Sequence, residues 1–497
     1  MQMKFNRYLT ITALFFGLLS SSCNAWLDVR PENTQTVNEY WKTGDQVEAV
    51  LASGYYYLRD SWQYMYFWAE ARGNGMEAAS LSQNDASKFL SMRYYNTLPT
   101  STYAKWEKMY KVIAQANSVI KYAPEVVKLD ESFSENVMRS LCVEAYWLRA
   151  YCYFTLVRNF RDVPLCLEPY VDDEADFLVP QSSPEIVLQT IIDDLENNME
   201  YAKEYFPETD PELPVNTKGR ATRWALKALL ADIYLWRGNA GDYQRAAQLC
   251  DEVINSGRVG LIAGNQWFTN FFPGNSNESI FEIQYDNSRS QTNNFLTIFN
   301  TNTSFVISPN SKMLFDKEND LRYPGTFGTT DVFLNWKFIG RDDISTTTRL
   351  STENDQNWIL YRLADIYLMK AEAKVMQGDY ASAFDALNAV RTRAGIDIYP
   401  TVQEEETALR LILSERQREF ISEGKSWYDI LRIGRRNEYQ YKNLMIQQVL
   451  LEIPASMSGR IRSILSDVNA HYLPIPSDEL KANPLLKQNP YYENMGN

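Results

Sequence analysis

The sequence predicts an all-α protein, in which antiparallel helix pairs stack as a repeat and carry long irregular loop insertions and few short strands. Three observations predict it. Apolar residues recur at helical spacing through much of the chain, a six-residue motif occurs twice with the same turn behind it, and alternating strand patterns are scarce.

Periodicity carries most of the weight. Between 103 and 123, apolar residues fall at Trp106, Met109, Ile113, Ala116, Ile120 and Ala123, in alternating steps of three and four. Leu141, Ala145, Leu148, Cys152 and Leu156 form the next series. Each series marks one apolar face of an amphipathic helix. Further helices are expected at 44–60, 184–203, 219–237, 242–257, 357–377, 379–394 and 405–424. The clearest strand signal is 279–286, where Phe281, Ile283 and Tyr285 alternate with Glu282 and Gln284.

The repeated motif is LADIYL, at 230–235 and 363–368, and a Gly-Asp-Tyr turn follows each copy. After Gly241 the next helix carries Tyr243, Ala246, Cys250, Val253 and Gly257; after Gly378 it carries Tyr380, Ala383, Leu387, Val390 and Ala394 at the same offsets. Glycine tolerates a left-handed backbone, and aspartate can cap the helix that follows. Ala246 and Ala383 let two helices approach closely. This is tetratricopeptide-like helix pairing. The motif lies six residues before one turn glycine and ten before the other, a difference of about one helical turn, so it stays on nearly the same face.

Two regions depart from helical periodicity. Residues 258–356 are rich in Gly, Asn, Ser and Thr with scattered aromatics, and so long a break inside a helical protein reads as a functional insertion. Residues 61–102 are irregular and dense in aromatics. The chain therefore divides into a leader at 1–22, a helix-pair part at 23–257, the loop-rich insertion at 258–356, and a second helix-pair part with a tail at 357–497.

The leader reads as a cleaved secretion signal: Lys4 and Arg7, then an apolar stretch at 8–19, then three serines and Cys23. That stretch is about half the ~20 residues a spanning helix needs. Small residues directly before a cysteine suit lipid attachment at Cys23, although Ser20 stands where a large aliphatic residue is usual. A net charge of -14 argues against nucleic acid as a partner and disfavours acidic ligands, whereas neutral glycans or peptides carry no such penalty. The single histidine, His471, argues against histidine-rich metal sites and Ser-His or Cys-His nucleophiles. Cys142, Cys152, Cys166 and Cys250 form no CxxC and read as small core residues. No glycine-rich phosphate loop or metal-ligand cluster is present, so neither cofactor nor metal is expected. The acidic runs 172–174 and 404–406 read as solvated faces or helix starts, and catalysis is not expected.

Five blocks resemble the SusD/RagB lipoproteins, nutrient-binding partners of TonB-dependent transporters in Bacteroidetes. They are WLDVRP at 26–31, RAYCYFTLVRNFRDVPL at 149–165, LADIYLMKAEA with LNAVRTRAG at 387–395, ERQREFISEGKSWYDILRIG at 415–434, and YLPIPSDELKANPLLKQNPYY at 472–492. The resemblance implies a lipid-anchored protein of the outer membrane, facing the exterior, that binds a glycan and passes it to a SusC-like TonB-dependent transporter. Two alternatives stand beside it: a peptide-binding, RagB-like protein with the same partner, and an architectural repeat protein without a small ligand. Departures from the pattern are Arg161 where glycine is common, Ser426 where arginine is common, and no acidic residue after the cysteine until Asp28. A left-handed Arg161 would cost roughly 1 kcal/mol relative to glycine.

Residues 55–68 are the densest aromatic run. Trp62, Tyr64, Tyr66 and Trp68 recur every second residue, which would place them on one side of an extended segment. Such a face suits sugar rings, with Arg72 and Asn74 as part of a polar rim, whereas the alternative is that these rings pack the loop onto the helices. The insertion offers Trp267, Phe271, Phe272 and Trp336. The tyrosines that follow Gly54 carry a weaker signal, because Val47, Leu51, Gly54 and Leu58 already describe a buried helix face.

Overall fold

The structure, a computed structural model, describes residues 40–493 apart from 79–83, 171–176, 211–212, 300–304, 329–333 and 345–346. Cys23 and the leader lie outside the described residues. Eight helices form the scaffold: α1 (Gly44–Asp60), α2 (Glu107–Val126), α3 (Glu135–Phe160), α4 (Pro184–Asn198), α5 (Arg223–Arg237), α6 (Asp242–Ile254), α7 (Leu363–Val375) and α8 (Tyr380–Arg393). Each packs on the next in that order, so α6 and α7 are neighbours although residues 255–362 separate them in the chain. The insertion leaves the stack after α6 and rejoins it at α7.

The helix ends follow local chemistry. Ser134 accepts from the Val137 N–H, Thr222 from Ala225 and Asp379 from Ser382, each satisfying an orphan donor at a helix start. Gly241 and Gly378 have φ of 87° and 74°, so both turns need the left-handed backbone. Of the two turn aspartates only Asp379 caps its helix; Asp242 instead binds Arg237 through paired bonds of 2.8 and 2.7 Å. LADIYL ends α5 but begins α7, which explains the unequal spacing to the turns. Ala246 and Ala383 are fully buried at the helix contacts.

The strands are short. Among the described residues they form antiparallel pairs: β1 (Met76–Ala78) with β5 (Phe305–Ile307), β2 (Val163–Pro164) with β3 (Gln181–Ser182), and β4 (Ser279–Ile283) with β6 (Trp358–Arg362). The β4–β6 pair clasps the base of the insertion. Here the expected helix at 357–377 needs correction, since its first residues are β6 and the helix starts at Leu363. Every residue of β6 is buried, and a short apolar run of that kind shows no period that separates strand from helix. The expected helices at 219–237 and 405–424 are shorter, running over Arg223–Arg237 and over α9 (Glu405–Glu419), and α10 (Ser426–Gly434) follows. Glu404 caps α9, accepting from the Glu406 and Thr407 N–H groups, so that acidic run is a helix start.

The expectation of an irregular region at 61–102 needs correction where residues are described, since Trp62–Glu70 and Asn84–Arg93 are helices. Arg161 ends α3 at φ 67° and ψ -83°, a positive-φ backbone outside the left-handed helical region, where glycine would carry no Cβ penalty. No helix among the described residues is long and apolar enough to cross a membrane.

Candidate functional site

The aromatic run does not form an exposed ladder. In the helix Trp62–Glu70 residues two apart diverge, whereas those four apart share a face. Trp62, Tyr66 and Trp68 are buried. Trp62 packs on Phe295 at 4.3 Å, and Tyr66 is ringed by Phe295, Phe299, Phe338 and Trp358. The Trp68 indole donates to the Tyr103 carbonyl at 2.6 Å, and Tyr64, half-buried, meets Tyr103 edge-on. Trp62 and Tyr66 thus fasten the insertion to this helix, while Tyr64 and Trp68 pack against Tyr103.

The expected polar rim is interior as well. Arg72 donates to the His471 carbonyl and to Asn159, both at 2.7 Å, and lies over the Trp427 ring at 4.8 Å. Asn74 is held by Ser426, whose hydroxyl donates to its carbonyl at 2.6 Å. In the insertion, Trp267, Phe271 and Trp336 are buried, with the Trp267 indole donating to Glu419 at 3.2 Å. Phe272 is half-buried beneath Arg349, 4.7 Å from its ring. In this conformation the buried rings have no open face for a ligand.

Beneath them lies a buried ion network. Arg322 binds Asp320, Glu415 and Glu419; Arg362 binds Glu278, Glu419 and Glu423; Lys337 donates to Glu423 at 2.7 Å. Burial opposes the Glu419 charge, but Arg393, Arg362 and Arg322 outweigh it and hold this carboxyl well below the usual range. The motif aspartates join a second network: Asp232 faces Arg158 at 3.4 Å, and Asp365 binds Arg416 at 2.8 Å and Lys425 at 2.7 Å. These charges are paired with one another and serve the scaffold.

The open site is elsewhere. A cleft of about 500 Å³ lies between the outer side of α1 and the segment after β4. Helical spacing turns Val47, Leu51, Gly54 and Leu58 inward and leaves Tyr56 outward, 54% exposed. The Arg59 guanidinium lies 5.7 Å from the Tyr56 ring centre. Its Nη1 donates to Gln291 Oε1 at 3.0 Å and to the Gln284 carbonyl at 3.3 Å, so the helix and the insertion hold each other. Burial lowers the Arg59 pKa, with only Tyr285 and Tyr56 opposing.

The deeper wall is fixed. Tyr55 donates to Glu144 at 2.8 Å and accepts the Ala221 N–H at 2.9 Å. Arg220 grips Glu144 through bonds of 2.9 and 2.8 Å and reaches Glu48 at 3.2 Å. Burial and the Glu144 carboxylate push the Tyr55 hydroxyl well above its usual pKa, so it stays a neutral donor. On the rim Asp286 pairs with Arg289 at 3.3 Å. An exposed ring beside amides and guanidinium donors can take the apolar face of a ring-shaped polar ligand and bond its hydroxyls.

Comparison with known proteins follows the same outline. A family model described as "SusD family" matches residues 308–492, and one described as "Starch-binding associating with outer membrane" matches 25–235. The chain belongs to the SusD/RagB family. A SusD-like protein of Formosa agariphila is 24% identical, the match covering 87% of this chain and 93% of that protein. A SusD-like protein of Bacteroides ovatus is 26% identical over 84% of this chain and 80% of its own. Among solved structures, a SusD superfamily protein of Bacteroides fragilis superposes with a TM-score of 0.74 at 24% identity, covering 91% of this chain and 99% of that one. A laminarin-binding SusD-like protein gives 0.70 at 24% identity, covering 90% and 100%. The surface glycan-binding protein A of Bacteroides uniformis gives 0.74 at 20% identity with the same coverage. These structures share the SusD fold.

Proposed function

We propose that this SusD-family protein binds a neutral glycan at the cell surface, in the cleft between α1 and the segment after β4, without converting it. The observation that carries the reading is Tyr56: an outward aromatic ring, braced by Arg59, opposite the Gln284 and Gln291 amides. The solved relatives named for laminarin and for surface glycans support that ligand class. The carboxylates that line the cleft, Glu48 and Asp286, are each held by an arginine, which suits binding better than proton transfer. In this reading Cys23 carries the lipid anchor, and a SusC-like TonB-dependent transporter of the outer membrane receives the glycan.

Affinity electrophoresis in gels containing laminarin, starch or xylan tests the cleft. At least one polymer should retard the protein, and Tyr56→Ala should weaken that binding about tenfold or more, given the ~1–3 kcal/mol typical of an aromatic stacking contact. No retardation by any glycan, alongside peptides found by mass spectrometry of the purified protein, would replace the glycan reading with a peptide one. The anchor has a separate test. Cys23→Ala should abolish incorporation of labelled fatty acid and release the protein from membranes; an acylated, membrane-bound variant would exclude Cys23.

A further inference from the structure

A second cleft, of about 600 Å³, lies on the other side of the short helix Val215–Gly219. That helix is the partition. Val215, Asn216 and Gly219 line the first cleft, while Pro214, Thr217 and Lys218 line the second. One continuous stretch of chain floors both: Ser279 and Ile280, in β4, border the second cleft, and Gln284 and Tyr285, directly after β4, border the first.

The partition is a fixed ridge. The Glu208 carboxylate accepts the backbone N–H groups of Asn216 at 2.9 Å and Thr217 at 2.5 Å. The Asn216 amide donates to the Pro207 carbonyl at 2.8 Å, and the Thr217 hydroxyl accepts from the Phe206 N–H at 3.0 Å. A hydrogen bond also joins the clefts directly: Gln284, in the first, donates to Asn275, in the second, at 2.7 Å.

The second cleft repeats the chemistry of the first. Tyr205 is 64% exposed, and the Arg258 guanidinium lies 5.8 Å from its ring centre, much as Arg59 stands over Tyr56. Trp224 adds a second ring to the lining, and Asn275 and Asn277 supply amides. From Ser279 to Tyr285 the extended chain runs roughly 20 Å at about 3.3 Å per residue, room for several sugar units.

We infer that the second cleft is a further glycan subsite, and that the two clefts hold successive segments of one polysaccharide chain drawn across the Val215–Gly219 ridge. This rests on the glycan reading of the first cleft. A chain bound at one cleft presents its next segment to the other at high effective concentration, so affinity rises with chain length without any new contact type.

The test compares polymer and trisaccharide of the same glycan, drawn from laminarin, starch and xylan, by titration calorimetry, with polymer counted per trisaccharide segment. The unsubstituted protein should bind the polymer about tenfold or more tightly than the trisaccharide. Tyr205→Ala should remove that gain, and so should Trp224→Ala; the first substitution is at an exposed ring and leaves the core intact. If both variants keep the full gain, the second subsite is excluded while the first cleft stands. If Tyr56→Ala binds trisaccharide as the unsubstituted protein does, the first-cleft reading fails instead. If none of the polymers binds the unsubstituted protein, both fall together.

Discussion

Arg161 and His471 show what single residues cost and stabilise. Arg161 holds φ 67° and ψ -83°, a sparsely populated backbone that costs of order 1–3 kcal/mol, and its guanidinium bonds Asp162 at 2.6 Å and Asn469 at 2.9 Å. His471 is fully buried, its ring Nε2 donating to the Leu465 carbonyl at 2.9 Å. Burial pushes its pKa down to about 4; the Leu465 bond and Asp467 oppose this, while Lys442 and Arg72 add to it. The folded state therefore binds fewer protons at this site than the unfolded state. Its contribution is fully present above the usual histidine pKa of about 6.5 and is lost as pH falls through about 4, a change of roughly 3 kcal/mol. Denaturant titrations across this window should show stability falling with acid, and His471→Gln should flatten the slope. A variant with the same slope would assign the acid sensitivity elsewhere.

At the scale of elements, the question is what fastens the insertion to the helix stack. Aromatic packing around Tyr66 supplies one part, the β4–β6 clasp another, and the buried ions a third. Glu419 on α9 is the shared acceptor, facing Arg322 from the insertion, Arg362 from β6 and Arg393 from α8. Removing one partner of such a buried set leaves uncompensated charge. Glu419→Gln should therefore cost about 3–5 kcal/mol in chemical denaturation, a size range seen when buried pairs are broken. A loss near zero would mean that the three arginines find other acceptors. Helix pairing was legible here because the motif recurs and Ala246 and Ala383 stand at the same offset from their turn glycines. The clasp was not, because the residues of β6 are all buried and carry no alternation.

For the whole molecule, the scaffold brings distant segments to one opening. Tyr56 and Arg59 come from α1, Arg220 from the chain before α5, and Gln284 and Gln291 from the insertion. If the cleft binds in the folded state alone, laminarin or another retarding glycan at a hundred times its Kd should add about 2.7 kcal/mol of stability. Thermal unfolding should show that gain, and at the same glycan concentration a tenfold weaker Tyr56→Ala should keep only about 1.4 kcal/mol of it. A neutral glycan should also bind with little dependence on salt, despite the net charge of -14, because no ion pair is screened.

The sequence by itself determined the helix pairs, the repeated turn and the family, because apolar spacing, turn glycines and ordered blocks are local properties. Even Tyr56 had a faint signal, since a helix whose inner face is Val47, Leu51, Gly54 and Leu58 must turn some of its tyrosines outward. Only the tertiary structure decided which aromatics are core and which are open. An aromatic ring gains by burial in either setting, so its identity alone does not say whether protein or ligand covers it. The Trp62–Trp68 run is covered by Phe295, Tyr103 and Trp358, all distant in sequence, and Tyr56 is left beside a cleft that no local pattern encodes.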